Sequence, residues 1–156
     1  MPTIYEGDFA TPAGRFAILA ARFNAVIVDN LVAGAVDALA RHGVPDAAID
    51  IVRVPGSFEI PLVAQRLAGS GKYAAVICLG AVIRGDTDHY DYVAGEATSG
   101  VGRAALSSGL PVIFGILTCD TLEQAINRAG AKSGNKGFDA ALTAIEMVNL
   151  LRNLPK

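Results

Sequence analysis

Four apolar stretches, Phe16–Ala21, Ile49–Val54, Ala74–Ile83 and Val112–Thr118, recur along the chain with helical patterns between them. No other feature constrains the fold as much. A strand that is apolar without alternation must be covered on both faces, and in a domain of this size helices do the covering. From Asn24 to His42, the residues Val28, Val32, Ala35 and Leu39 fall on one helical face, with Asn24 as the expected N-cap and Gly43 beyond the end. Pro61 suits the first turn of a helix running to about Gly69. Val93, Ala97, Gly100 and Ala104 form a small-residue face, and Thr121–Gln124 matches the capping box. A last helix is expected from about Phe138, with Leu142, Ile145 and Val148 along one side. The order β-α-β-α-β-α-β-α-α predicts one α/β domain over residues 1–156. It should be a four-stranded parallel sheet in a doubly wound, flavodoxin-like three-layer α/β/α sandwich. "TIYEG" near the N-terminus reads as an additional edge strand, its own or lent to a neighbouring subunit, and residues 1–10 as an arm.

Ligands of open parallel sheets bind outside the carboxyl ends of the strands. That rule selects "ARFN", "VPGSFE", "RGDTDH" and "TCD". Phe23 is either an aromatic cap on the core or a surface on which a flat heterocycle stacks. Ser57 can cap the following helix. Glu59 can serve the helix dipole or bind a ligand, and Phe58 reads as packing. "GDT" before a helix offers backbone N–H groups, a hydroxyl and a positive dipole end, which suit a phosphate. Asp86, Asp88 and Asp91 oppose that, so a cation is required. Arg84, Arg128, Lys132 and Lys136 are the candidates. Of two histidines, His42 ends a helix, whereas His89 stands at a strand's carboxyl end, where an imidazole can move protons near neutrality. The run "RAGAKSGNKG" is either a solvated loop or a source of cations. Cys78 and Cys119 sit at strand-like positions, without the spacing of a disulfide framework or a metal site.

Composition narrows the partners. Hydrophobic residues make up 52% of the chain and charged residues only 18%, against about 25% charged in a typical domain. A small domain cannot bury that much apolar surface alone, which predicts an extensive subunit interface. A net charge of −2 excludes the electrostatic footprint of a nucleic-acid binder. The longest apolar run, Tyr73 to Ile83, falls far short of the roughly 20 residues of a membrane span. No basic-then-apolar leader opens the chain, so a cytoplasmic location is expected.

Five motifs in register, "ARFN", "VPGSFEIP", "GAVIRGDTDHYDYV", "LTCDTLEQAINRAGAKSGNKG" and "AALTAIEMVNLL", together resemble the 6,7-dimethyl-8-ribityllumazine synthase family. The resemblance implies condensation of two small substrates, 5-amino-6-ribitylamino-pyrimidinedione and 3,4-dihydroxy-2-butanone 4-phosphate. The step is the penultimate one of riboflavin synthesis and uses no metal or organic cofactor. It implies Phe23 as the stacking ring, Ser57, Phe58 and Glu59 along the ribityl chain, and Ala81, Val82 and Ile83 holding the heterocycle through backbone. Gly85, Asp86 and Thr87 would bind phosphate, and His89 would transfer protons. Phe114, Arg128 and Lys136 would come from an adjacent subunit, with Arg128 as the phosphate cation. Homo-oligomers are implied, pentamers and sixty-subunit icosahedral shells, the compact "GAKSGNKG" connection resembling the shell-forming type. Riboflavin synthase is a possible partner within such a shell. Asp86, Tyr90 and Cys119-Asp120 depart from the commonest residues at their positions. Two rival readings remain: a flavodoxin-like module that binds flavin or nucleotide, and a shell protein without catalysis.

Overall fold

The computed structural model describes residues 1–156. Its strands are β1 (Phe16–Ala21), β2 (Ile49–Val54), β3 (Ala75–Ile83) and β4 (Val112–Cys119), all parallel, in the order β2-β1-β3-β4. Between and after them run α1 (Ala25–Arg41), α2 (Ile60–Ala68), α3 (His89–Ser108), α4 (Leu122–Arg128) and α5 (Lys136–Asn153).

Alternation along β1 divides the core. Phe16, Ile18 and Ala20 pack under α1 and α5, while Ala17, Leu19 and Ala21 pack under α2 and α3. The central strands are therefore apolar at every position, and all six residues of β1 are buried. The edges look different. Ile51 of β2 and Phe114 of β4 are 47% and 42% exposed. Strand order reverses between β1 and β3, so the switch-point crevice of a doubly wound sheet lies above their carboxyl ends.

Helix contacts follow from the glycines. A Cβ on Gly100 would collide with the Pro61 ring, which brings α2 and α3 into close contact along the expected small-residue face. Asn135 caps α5, its Oδ1 accepting from Gly137 N at 2.8 Å and Phe138 N at 3.0 Å. Helix α5 therefore starts at Lys136, ahead of the residue at which apolar periodicity begins. Thr121 Oγ1 accepts from Gln124 N at 3.1 Å, as the capping box requires.

Two expectations are corrected. Asn24 occupies the N-cap position of α1 but makes no capping hydrogen bond. Its amide reaches across to β3 instead. "TIYEG" adds no strand to this chain's own sheet, since residues 1–15 contain no strand. Part of the arm is nevertheless pinned: Asn149 Nδ2 donates to Asp8 O and Ala10 O, each at 3.0 Å.

At the amino ends of the strands, Asp50 accepts from Tyr73 Oη at 2.6 Å and pairs with Arg15 at 2.9 Å and Lys72 at 3.0 Å. The Tyr73 and Lys72 hydrogen bonds hold its carboxyl down at about 2. An unfolded aspartate titrates near ~3.9. The folded value is the lower one, so the stabilisation is complete above that pH and is lost as pH falls through about 2. Asp50→Asn is therefore expected to lower the thermal midpoint at pH 7. The gap to the parent should persist to about pH 4 and close towards pH 2, followed by thermal unfolding across that range.

Candidate active site

Strand β1 ends in a turn that places its next aromatic outside. Arg22 N donates to Val54 O at 2.7 Å and Phe23 N to Pro55 O at 3.0 Å, which carries the β1–β2 ladder past the strand end. Asn24 then adopts φ 62° and ψ 45°, the chain's single non-glycine residue with positive φ. Asparagine tolerates this left-handed conformation better than most residues. Its Nδ2 donates to Ala81 O at 2.7 Å, fixing the turn against β3. Phe23 is left 71% exposed, so it is no cap on the core. Phe58 is 55% exposed, which corrects its reading as packing.

Phe23 and Phe58 flank a cleft of about 510 Å³ above β1 and β2, lined also by Ser57, Glu59, His89 and Tyr92. An inner recess of about 80 Å³ reaches Ala81, Val82 and Ile83 at the end of β3. Ser57 does not cap a helix. It is buried against β3, where a Cβ on Gly80 would come within 2.5 Å of its Oγ. Glu59 ends the short turn before α2, half-buried at the cleft wall.

Gly85, Asp86 and Thr87 form the exposed loop between β3 and α3. His89 opens α3, its N donating to Thr87 Oγ1 at 3.3 Å. Tyr92 and Val93 follow His89 at helical spacing and share its cleft. Tyr92 lies outside the set of site residues expected from the sequence. The i, i+3 relation to His89 is the signal that would have found it. Arg84, one of the candidate cations, is already engaged with Asp120 at 3.0 Å and Asp91 at 3.7 Å.

Phe114, Arg128 and Lys136 stand elsewhere. They line a groove of about 470 Å³ along the outer edge of β4, with Thr118 and Asp139. Arg128 Nη1 lies 3.2 Å from Cys119 Sγ, and Lys136 Nζ lies 3.8 Å from Asp139. Lys132 is exposed and lines neither cavity. No residue lines both the cleft and the groove, and β3 separates β1 from β4. Within one chain the candidate residues thus form two groups.

A doubly wound α/β fold with a switch-point cleft walled by exposed aromatics defines an α/β protein of the class whose ligands bind at the carboxyl ends of the strands. The family model of 6,7-dimethyl-8-ribityllumazine synthase matches residues 13–152, and the chain belongs to that family, one of riboflavin biosynthesis. No helix is long and apolar enough to cross a membrane.

Proposed function

We propose that the protein condenses 5-amino-6-ribitylamino-pyrimidinedione with 3,4-dihydroxy-2-butanone 4-phosphate to 6,7-dimethyl-8-ribityllumazine, as a transferase acting at the penultimate step of riboflavin synthesis. The observation that carries this reading is the division of the candidate residues into two half-sites. The cleft supplies a stacking ring at Phe23, a carboxylate at Glu59 for ribityl hydroxyls and backbone polar groups of Val82 and Ile83 for the heterocycle. Its loop supplies Gly85, Asp86 and Thr87 for phosphate but no free cation, because Arg84 is paired. The β4 groove supplies the missing Arg128, with Lys136 and Phe114, on an exposed sheet edge. A second copy docked edge-on would bring the groove over the cleft and complete the site. We assign these subunits to a ring, with the pentamer and the sixty-subunit shell as the assemblies and the N-terminal arm lent to a neighbour.

The chemistry needs little from any single group. The amine attacks the ketone and water leaves to give the imine. Loss of the C3 proton and of phosphate from C4 leaves an enol that tautomerises to a new C3 ketone, and the ribitylamino nitrogen closes on that ketone with loss of water. His89, which lines the cleft next to Thr87, is the group we assign to carry protons between these steps. Orientation of two reactive partners can contribute ~7–11 kcal/mol, against 10²–10⁴-fold, in order of magnitude, for a proton-transfer group. His89→Ala is therefore expected to slow lumazine formation by about 10²-fold without abolishing it. Steady-state kinetics in which that variant matches the parent would remove His89 from the mechanism.

One assay separates this reading from its rivals. Both substrates are mixed with the protein, and lumazine fluorescence and inorganic phosphate are followed together. A flavin- or nucleotide-binding module, or a shell without catalysis, yields neither. Light scattering at micromolar concentration giving a monomer mass would reject the shared site, and electron microscopy showing only pentamers would reject the shell.

A further inference from the structure

Arg84, like Lys132, is a candidate cation that neither half-site uses, and its surroundings are unlike those of a waiting phosphate ligand. Its Nε donates to Asp120 Oδ1 at 3.0 Å, just past the end of β4. An Nη lies 3.7 Å from Asp91 Oδ1 in the first turn of α3, and the guanidinium stacks on the Tyr90 ring at 4.3 Å from its centroid. Its backbone N donates to Cys119 O at 2.8 Å. One side chain therefore ties β4 to α3 across the loop of Gly85, Asp86 and Thr87, which has no other side-chain anchor than the Thr87–His89 contact. A planar fork with a stacking face can hold three such partners at once, which a lysine cannot.

We propose that Arg84 is a positioning residue that acts through the loop: by latching Asp120 to Asp91 and Tyr90, it sets the phosphate-binding conformation of Gly85–Thr87 without contacting phosphate itself. The proposal rests on the condensation reading for its substrate, and it names a residue that reading leaves idle.

Electrostatics alone and the latch predict opposite signs for one variant. Asp120→Asn removes a negative charge beside an anion site, so simple repulsion predicts a lower KM for the phosphorylated substrate. The latch predicts a rise of about threefold to fivefold, the scale of an exposed ion pair. Arg84→Ala should raise that KM about tenfold, Arg84→Lys should recover only part of it, and Arg84→Ala/Asp120→Asn should equal Arg84→Ala, because both remove one connection. The KM for the pyrimidinedione should stay within about twofold, because Arg84 and Asp120 line neither the cleft nor its inner recess, which the latch meets only through the Tyr90 ring. A fall in KM for Asp120→Asn, additive effects in the double variant, or equal rises in both KM values would overturn the proposal.

The same variants are then heated with and without inorganic phosphate, in the assembled protein at fixed concentration. Phosphate should raise the parent's thermal midpoint, and the rise should shrink in Asp120→Asn and Arg84→Ala. This readout does not depend on turnover. A parent that makes no lumazine defeats the proposed reaction, and the latch then stands or falls on the phosphate shift; no shift in the parent, or an undiminished shift in the variants, defeats the latch.

Discussion

Arg128→Ala is expected to lower kcat/KM for the phosphorylated substrate by about 10³-fold, with the KM for the pyrimidinedione nearly unchanged. A guanidinium fork on phosphate makes two charge-assisted hydrogen bonds at ~1.5–3 kcal/mol each. At ~1.4 kcal/mol per tenfold, those bonds span 10²–10⁴ in rate, an order-of-magnitude range. The loss should exceed that of His89→Ala, because the three carboxylates near the loop then face the phosphate without the groove's guanidinium, and Lys136 beside Asp139 offers no bidentate fork in its place. Arg128 is half-buried against Cys119 at the end of α4, so its removal leaves the cleft of its own chain intact. That separation makes a stronger test possible. Arg128→Ala chains keep a good cleft, and Phe23→Ala/Glu59→Ala chains keep a good groove. Assembled together in equal amounts, the two inactive chains should regenerate about a quarter of the sites, since a head-to-tail ring pairs each cleft with its neighbour's groove. Mixed assemblies as inactive as their parents would mean that Arg128 acts within its own chain or not at all.

The second large effect concerns stability. Gly137 lies where α5 crosses α1, and a Cβ there would overlap the Leu31 backbone carbonyl. Replacing glycine by alanine in a helix ordinarily stabilises by ~0.5–1 kcal/mol. Here the steric term should win, because the obstacle is main chain that cannot rotate away. Overpacking of a tight core costs ~1–3 kcal/mol, and the upper end is expected. For a chain of this length, that corresponds to a fall of roughly 6–12 °C in the thermal midpoint. Thermal unfolding at fixed protein concentration gives the sign directly, and a stabilised Gly137→Ala would show that α5 can lift off α1 at little cost.

Much of the architecture was legible because its causes are local. Full burial of β1 makes every residue from Phe16 to Ala21 apolar, so the strand's limits can be read without knowing its neighbours. Thr121 and Gln124 announce the start of α4 in the same way. Local cues failed where a side chain serves a distant partner. Asn24 has the composition of a helix cap, but its amide is claimed by Ala81, 57 residues away. The apolar period of α5 begins at Phe138, while the cap that sets its first turn is Asn135. Exposure was illegible for the same reason. Phe58 reads as packing in the sequence and Phe23 reads two ways, and only the turn after β1 and the turn before α2 leave both open to the cleft.

The sequence by itself determined the strands, the helices between them and the motifs of the family, because periodicity and capping act within a few residues. The tertiary structure alone decided the strand order β2-β1-β3-β4, the absence of "TIYEG" from this chain's sheet and the commitment of Arg84 to Asp120 and Asp91. It also separated Phe114, Arg128 and Lys136 from Phe23 and His89 by placing them along the outer edge of β4. The physical reason is common to all of these. A residue's pattern records that it is buried or charged, and the packing of distant segments fixes which partner meets it.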